Sequence, residues 1–445
     1  MTLRATTTGR GRRLMALGAA LTALTLAAAG CTGSDPVDDG KDAAEGYDPN
    51  AKVTIQWWTG QTEDMQKVSE DLAKEYMKLH PNVTIESSTG ASTTDELLTK
   101  LSAGFTGGNY PDISYAFGSW ATQLAESGRT QNLKTFVGTP EIAWDDFPAS
   151  ARATATVGDK VIGFPAIVDN LALIYNKKLF DAAGLAHPTD DWSWDDFRAA
   201  AKKLTNPATN TYGTAYSVSG SEDTTWHLWP LLWQRGGKII DGKKPTFNSD
   251  AGVQALESLR QMAVDDKSMY LDQTDEKYQP LFNDGHVGMV MTGPWVLHET
   301  QEAGVDYGVV NLPGLNGDHQ TVSGPDLWVL FNKKDPNRAG ASRDFIKWLT
   351  SKEIDPKWTM ANGNLPLRAS EKNTPEFATY VKDYPGAQKF FDNLQNCKQP
   401  RPTVPGYVEM SGYVGDAVSK VLQGAAKPKE ALDEAAKKSA SALEG

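Results

Sequence analysis

Short apolar runs alternate with longer stretches of helical periodicity along most of the chain. Val53-Thr54-Ile55-Gln56-Trp57-Trp58 reads as a strand that Thr59-Gly60 breaks into a loop. Residues 65–80 then carry Val68, Leu72, Tyr76 and Leu79 on one face of a helix. Pro81-Asn82 stops it and Val83-Thr84-Ile85 starts a second strand, a connection long enough for a parallel crossover. The order repeats with a helix over 94–104, a strand over 111–115 and a helix over 119–127. Leu171 to Ile174, a continuous apolar run after Pro165 and before Tyr175-Asn176-Lys177, predicts a strand buried on both faces. Helices are expected over 179–183, 193–204, 226–235, 249–264, 279–283, 338–349, 413–422 and 428–442, with strands over 287–291 and 327–331. Alternating strands and helices place the chain in the α/β class, with covered and mostly parallel sheets.

The N-terminus departs from that pattern. Arg4, Arg10, Arg12 and Arg13 precede an uncharged run over 14–29, which reads as an export signal too short for a comfortable membrane span. Its end, Leu26-Ala27-Ala28-Ala29-Gly30-Cys31, resembles a bacterial lipobox, which implies cleavage before Cys31 and a lipid anchor on its sulfur. Arg12-Arg13 leaves the general and the twin-arginine export routes both open. Residues 31–51, rich in Gly, Ser and Asp, read as a flexible tether.

At 445 residues, two or three domains are expected. Loss of residues 1–30, which hold four arginines and no acid or lysine, takes the formal charge from −12 to −16. So acidic a surface disfavours nucleic acid as a partner. With Cys31 lipidated, Cys397 stands alone, so neither a disulfide framework nor a cysteine metal cage is available. No P-loop, HExxH, GxSxG elbow or dinucleotide fingerprint occurs. Asp169, at the entrance of the 171–174 strand, is an acid that needs a partner or a ligand if it is buried.

The order of motifs resembles the sugar-binding family of extracellular solute-binding proteins of ABC importers that includes the maltose-binding proteins. The resemblance is carried by Trp58-Thr59-Gly60, Leu79-His80-Pro81-Asn82-Val83, Gly108-Asn109-Tyr110-Pro111-Asp112-Ile113, Tyr175-Asn176-Lys177-Lys178-Leu179-Phe180, Met291-Thr292-Gly293-Pro294-Trp295 and Asn364-Leu365-Pro366-Leu367-Arg368. It implies a two-lobed binding-protein fold, residues 52–166 with 325–378 forming lobe 1 and 167–324 with 379–445 forming lobe 2. Hinge crossings are then expected near 165–168, 323–326 and within 374–384. A carbohydrate would sit between the lobes and pass to permease subunits in the membrane. A monomer without cofactor, metal or catalytic residues is implied, an exported glycoside hydrolase, a binder of another solute and a sensor for a membrane kinase being the alternatives.

A sugar offers apolar C–H faces to aromatic rings and hydroxyls to planar polar groups. Of the 13 tryptophans, Trp295 matches the family's principal stacking aromatic, and Trp226, Trp120 and Trp58 occupy loop positions suited to contact. Asp169 coincides with an acidic ligand contact. Gln61 and Ser119 stand where maltose binders carry charge, which implies a different sugar. Asp326 and Arg401 are further candidates, and Tyr407 is placed to close the far side. Asp112 reads as structural.

Overall fold

The computed structural model describes residues 41–61, 63–92, 94–361 and 363–444. The expectations on the export signal and on lipidation of Cys31 fall outside these residues, as does Thr62, the neighbour of Gln61.

In chain order the strands are β1 (Val53–Trp58), β2 (Val83–Ser88), β3 (Ile113–Ala116), the hairpin β4 (Thr156–Val157) and β5 (Lys160–Val161), and β6 (Gly163–Ile167). Next come β7 (Ala172–Asn176), β8 (Tyr212–Ser217), the hairpin β9 (Ile240–Asp241) and β10 (Lys244–Pro245), β11 (Met269–Asp272), β12 (Val287–Thr292), β13 (Tyr307–Val310) and β14 (Asp326–Leu330). Among the described residues they form two five-stranded sheets, ordered β2-β1-β3-β14-β6 and β11-β8-β12-β7-β13. Each sheet is mostly parallel, as expected, with one strand of the five reversed. In the first, β2, β1 and β3 run parallel and β14 pairs antiparallel with β3 and β6. In the second, β11, β8 and β12 run parallel and β7 pairs antiparallel with β12 and β13. The reversed strands are the two that follow the chain's passages between sheets, after β6 and after β13. Pro165, which cannot donate to a ladder, is accommodated because β6 is an edge strand.

Each sheet has its own core. Around the first, Trp57 packs edge-on against Trp328 and Phe345, with ring centres 5.2 and 5.1 Å apart. In the second, β7 is buried along its whole length. Leu173 and Tyr175 face one apolar cluster with Met289 and Met291, while Ala172 and Ile174 face another with Val290, Phe282 and Phe390. The two-sided burial read from the 171–174 run follows from this alternation.

The helix Glu63–Leu79 buries Ser69, Leu72, Ala73 and Tyr76, but Leu79 in its last turn is 61% exposed. The helix expected over 226–235 divides into Glu222–Trp226 and Trp229–Gln234, with Pro230 in the first turn of the second. Tyr407–Leu422 begins six residues earlier than periodicity from residue 413 suggests. Leu367 packs in the first core and Phe377 against the second sheet.

The tether expectation over 31–51 needs correction in its last part. Tyr47 donates to Asp344 at 2.9 Å, Asp48 N donates to Asn337 at 2.9 Å, and Asp42 pairs with Arg343 at 2.7 Å. All three partners lie on the helix Pro336–Leu349, so residues 42–51 are docked there.

Candidate ligand-binding site

A cavity of about 400 Å³ opens where the two sheets meet. Its wall on the first sheet comes from Gln61 after β1, Tyr115 and Phe117 at the end of β3, Ile167 at the end of β6, and Asp326 at the start of β14. Because β14 is antiparallel to its neighbours, its first residue lies at the same edge as the others' last residues. The wall on the second sheet comes from Ser221 to Trp226 after β8, Asp275 and Tyr278 after β11, and Trp295 after β12. Both walls are therefore built at the carboxyl ends of parallel strands, where open α/β sheets place ligands. Thr94, Asp169, Gly324, Asn364 and Arg401 complete the lining.

Local sequence fixes the aromatic wall. Gly293 leaves room for the Trp295 ring, which folds back so far that a Cβ at 293 would lie 1.8 Å from it. Pro294 then starts the turn Pro294–Val296 that carries the indole. Trp226, at the end of its short helix, stacks against Trp295 with centres 5.9 Å apart and planes 29° apart. On the opposite wall Gly60, at φ +68°, lets the chain turn beneath Tyr115, whose ring a Cβ would meet at 2.9 Å.

The polar wall is acidic. Asp169 accepts from Gly324 N–H at 2.8 Å and is 7% exposed. Burial, followed by the charge of Asp326, holds its carboxyl well above the usual range. Asp326 sits at a register shift between β14 and β6, a bulge that turns its side chain to the cavity. It accepts from Tyr115 Oη and, at 3.2 Å, from Gly118 N–H. Burial raises it to about 6 although Tyr115 and Arg401 pull the other way. Asp223 is likewise raised to about 6 by burial, against the pull of His227. Asp275, at φ +65°, gathers the hydroxyls of Ser217, Ser219 and Ser221. Arg401 Nη1 meets Glu222 Oε1 at 2.8 Å, and its guanidinium stands 5.8 Å from the Trp226 ring centre.

Of the residues singled out in the sequence, Gln61, Asp169, Trp226, Trp295, Asp326 and Arg401 line this cavity. Trp58, Ser119, Trp120 and Tyr407 do not. Trp58 leans on the first core with Lys100 Nζ 4.7 Å from its ring centre. Trp120 is 4% exposed and packs on Phe117. Ser119 faces a separate small space behind the crossing at Ser323 and Pro325. Tyr407, 1% exposed, donates to Glu222 Oε1 at 3.0 Å and accepts from Trp229 Nε1 at 3.2 Å, so it braces the acid from behind. Sequence reasoning missed Tyr115, Phe117, Glu222, Asp223, Asp275 and Tyr278. A signal was present, for Glu222 and Asp223 lie about one helical turn before Trp226 and hence on its side of the helix.

A profile of the bacterial extracellular solute-binding proteins matches residues 71–386, more than two thirds of the chain. A maltotriose-binding protein of Pyrococcus abyssi is 22% identical over 385 residues, covering 84% of this chain and 78% of that one. An ABC substrate-binding protein of Listeria monocytogenes, solved with cycloalternan, superposes with a TM-score of 0.78 at 24% identity, over 88% of this chain and 99% of that one. An ABC transporter solute-binding protein of Agrobacterium radiobacter, solved with ribitol, gives a TM-score of 0.75 at 26% identity, over 88% and 100%. With a cleft lined at the strand ends of two sheets and a family profile spanning most of the fold, the chain belongs to the bacterial extracellular solute-binding proteins.

Proposed function

We propose that this protein is the extracellular carbohydrate-binding component of an ABC importer. It captures a sugar or oligosaccharide between two hinged lobes and hands it to permease subunits. The observation that carries this reading is the stacked pair Trp226 and Trp295 on one wall of the cavity, facing carboxylates and Gln61. Flat rings cover the C–H faces of a pyranose, and acceptor-only carboxylates take its hydroxyl protons. The maltotriose, cycloalternan and ribitol named with its relatives support a polyhydroxylated solute.

Lobe 1 comprises residues 52–166 and 325–378 and lobe 2 residues 167–324 and 379–445, with Asp169 and Asp326 at the crossings. A sugar that touches both lobes stabilises the closed arrangement. Cys31 carries the lipid that holds the monomer at the outer face of the membrane. Binding, not cleavage, is the activity. Titration calorimetry against mono- and oligosaccharides tests this. At least one should bind with micromolar affinity, about −8 kcal/mol, and be recovered intact. Failure of every sugar, or release of cleaved product, would overturn the reading.

A further inference from the structure

The charge of the cavity says more about its occupant than a neutral sugar requires. Among the described residues that line it, five carboxylates, Asp169, Glu222, Asp223, Asp275 and Asp326, face one basic side chain, Arg401. Arg401 pairs with Glu222 at 2.8 Å, and its single charge also reaches Asp169 and Asp326, so one cation faces five acids. Asp169, Asp275 and Asp326 take their hydrogen bonds from a backbone N–H, serine hydroxyls, and a tyrosine with a backbone N–H, respectively. None of these donors brings a positive charge. Behind Asp223 stands His227, with Nδ1 3.5 Å from Oδ1.

Two buried atoms on the same wall are left for a ligand to satisfy. Asp223 Oδ2, an acceptor, and Trp226 Nε1, a donor, have no hydrogen-bond partner among the described residues. An occupant that satisfies both offers a donor and an acceptor oxygen. A bare alkylammonium cannot do the second, and an anion is repelled by the surplus of acids. The stacked indoles and Tyr278 add π faces that attract a cation.

Resting on the sugar-binding reading above, we propose that the preferred ligand is a sugar or polyol bearing a protonated amine, an amino sugar instead of a neutral or acidic one. Its ammonium lies by Asp169 and Asp326, and its hydroxyl and ring oxygens meet Asp223 and the Trp226 N–H. Burial raises Asp169 and Asp326 in the empty cavity, and an arriving cation restores their ionised forms. Phosphorylated and carboxylated sugars are excluded, because no uncommitted cation among the lining residues receives them.

The test is a calorimetric panel in matched sets, each hexose and each α- or β-linked disaccharide supplied as the neutral sugar, the free amine, the N-acetyl amine and the uronic acid. The free amine of the best set should bind at least about tenfold tighter than its neutral and N-acetyl counterparts, with no heat from the uronic acid. Asp169→Asn should narrow that preference, and circular dichroism would confirm that the variant folds. If neutral sugars bind as tightly as their amines, this proposal fails while the sugar-binding reading stands. If no form of any sugar binds, both fail.

Discussion

Trp295 shows how a ring can be left at a cavity edge, while its stacking neighbour Trp226 is buried in the second core. Trp295 keeps an exposed face because Gly293 lets its ring fold back at the cavity edge, whereas Trp57 and Trp328 are fully buried. Trp295→Ala should therefore weaken sugar binding by roughly tenfold or more. It should cost the free protein far less than the ~3–5 kcal/mol of emptying a core tryptophan. Calorimetry and thermal unfolding on one preparation check both. A second residue-scale prediction concerns Glu371 and Asp355, both fully buried beside Arg368. Burial holds both carboxyls above their usual range, and the neighbouring Asp355 charge pushes Glu371 further up. Both bind protons more tightly folded than unfolded, so their contribution to stability falls as pH rises from about 4 upward. Glu371→Gln keeps the shape and removes that titration. Denaturant unfolding at pH 5 and 9 should show a smaller loss for the variant than for the wild type. At this scale the sequence carried half of the site. Asp169 was legible as an acid at a buried strand entrance, and Gly-Pro-Trp as a motif with one use. Trp120 and Tyr407 were not, because a loop position does not tell which way a ring turns.

Elements were more legible than side chains, because periodicity is a property of many residues at once. The run 171–174 gave β7 through its two-sided burial, and the terminal helix Pro428–Glu444 followed its apolar stripe. What escaped was the one reversed strand in each sheet, since an antiparallel strand after a long passage looks the same in sequence as a parallel one. Docking of residues 42–51 escaped as well, for a composition rich in small and acidic residues conceals one specific aromatic anchor. That anchor depends on Gly340, where a Cβ would lie 2.2 Å from the Tyr47 ring. Gly340→Ala should expel Tyr47 while leaving the helix Pro336–Leu349 intact, since alanine in a helix interior is favoured over glycine by about 1 kcal/mol. Amide exchange at Tyr47 and Ala51, which donate to Ala44 and Asp48, should then accelerate. Unchanged exchange would show that the segment is held by something other than the Tyr47 contact.

For the whole molecule, the two sheets with separate cores are joined by few passages, and the acids Asp169 and Asp326 sit at two of them. Gly324 N–H binds Asp169 and so ties two passages together, while Gly118 N–H and Tyr115 bind Asp326 and anchor its passage to the end of β3. A solute that contacts them, Gln61 on one side and the Trp226 and Trp295 pair on the other can shift the balance between open and closed arrangements only by touching both sides. Small-angle scattering of the protein with and without its tightest sugar measures that shift. The radius of gyration should fall on saturation for the wild type, and for Trp295→Ala only at a sugar concentration raised in proportion to its weaker binding. A tight sugar that saturates the cavity and leaves the scattering profile unchanged would contradict capture by hinge closure.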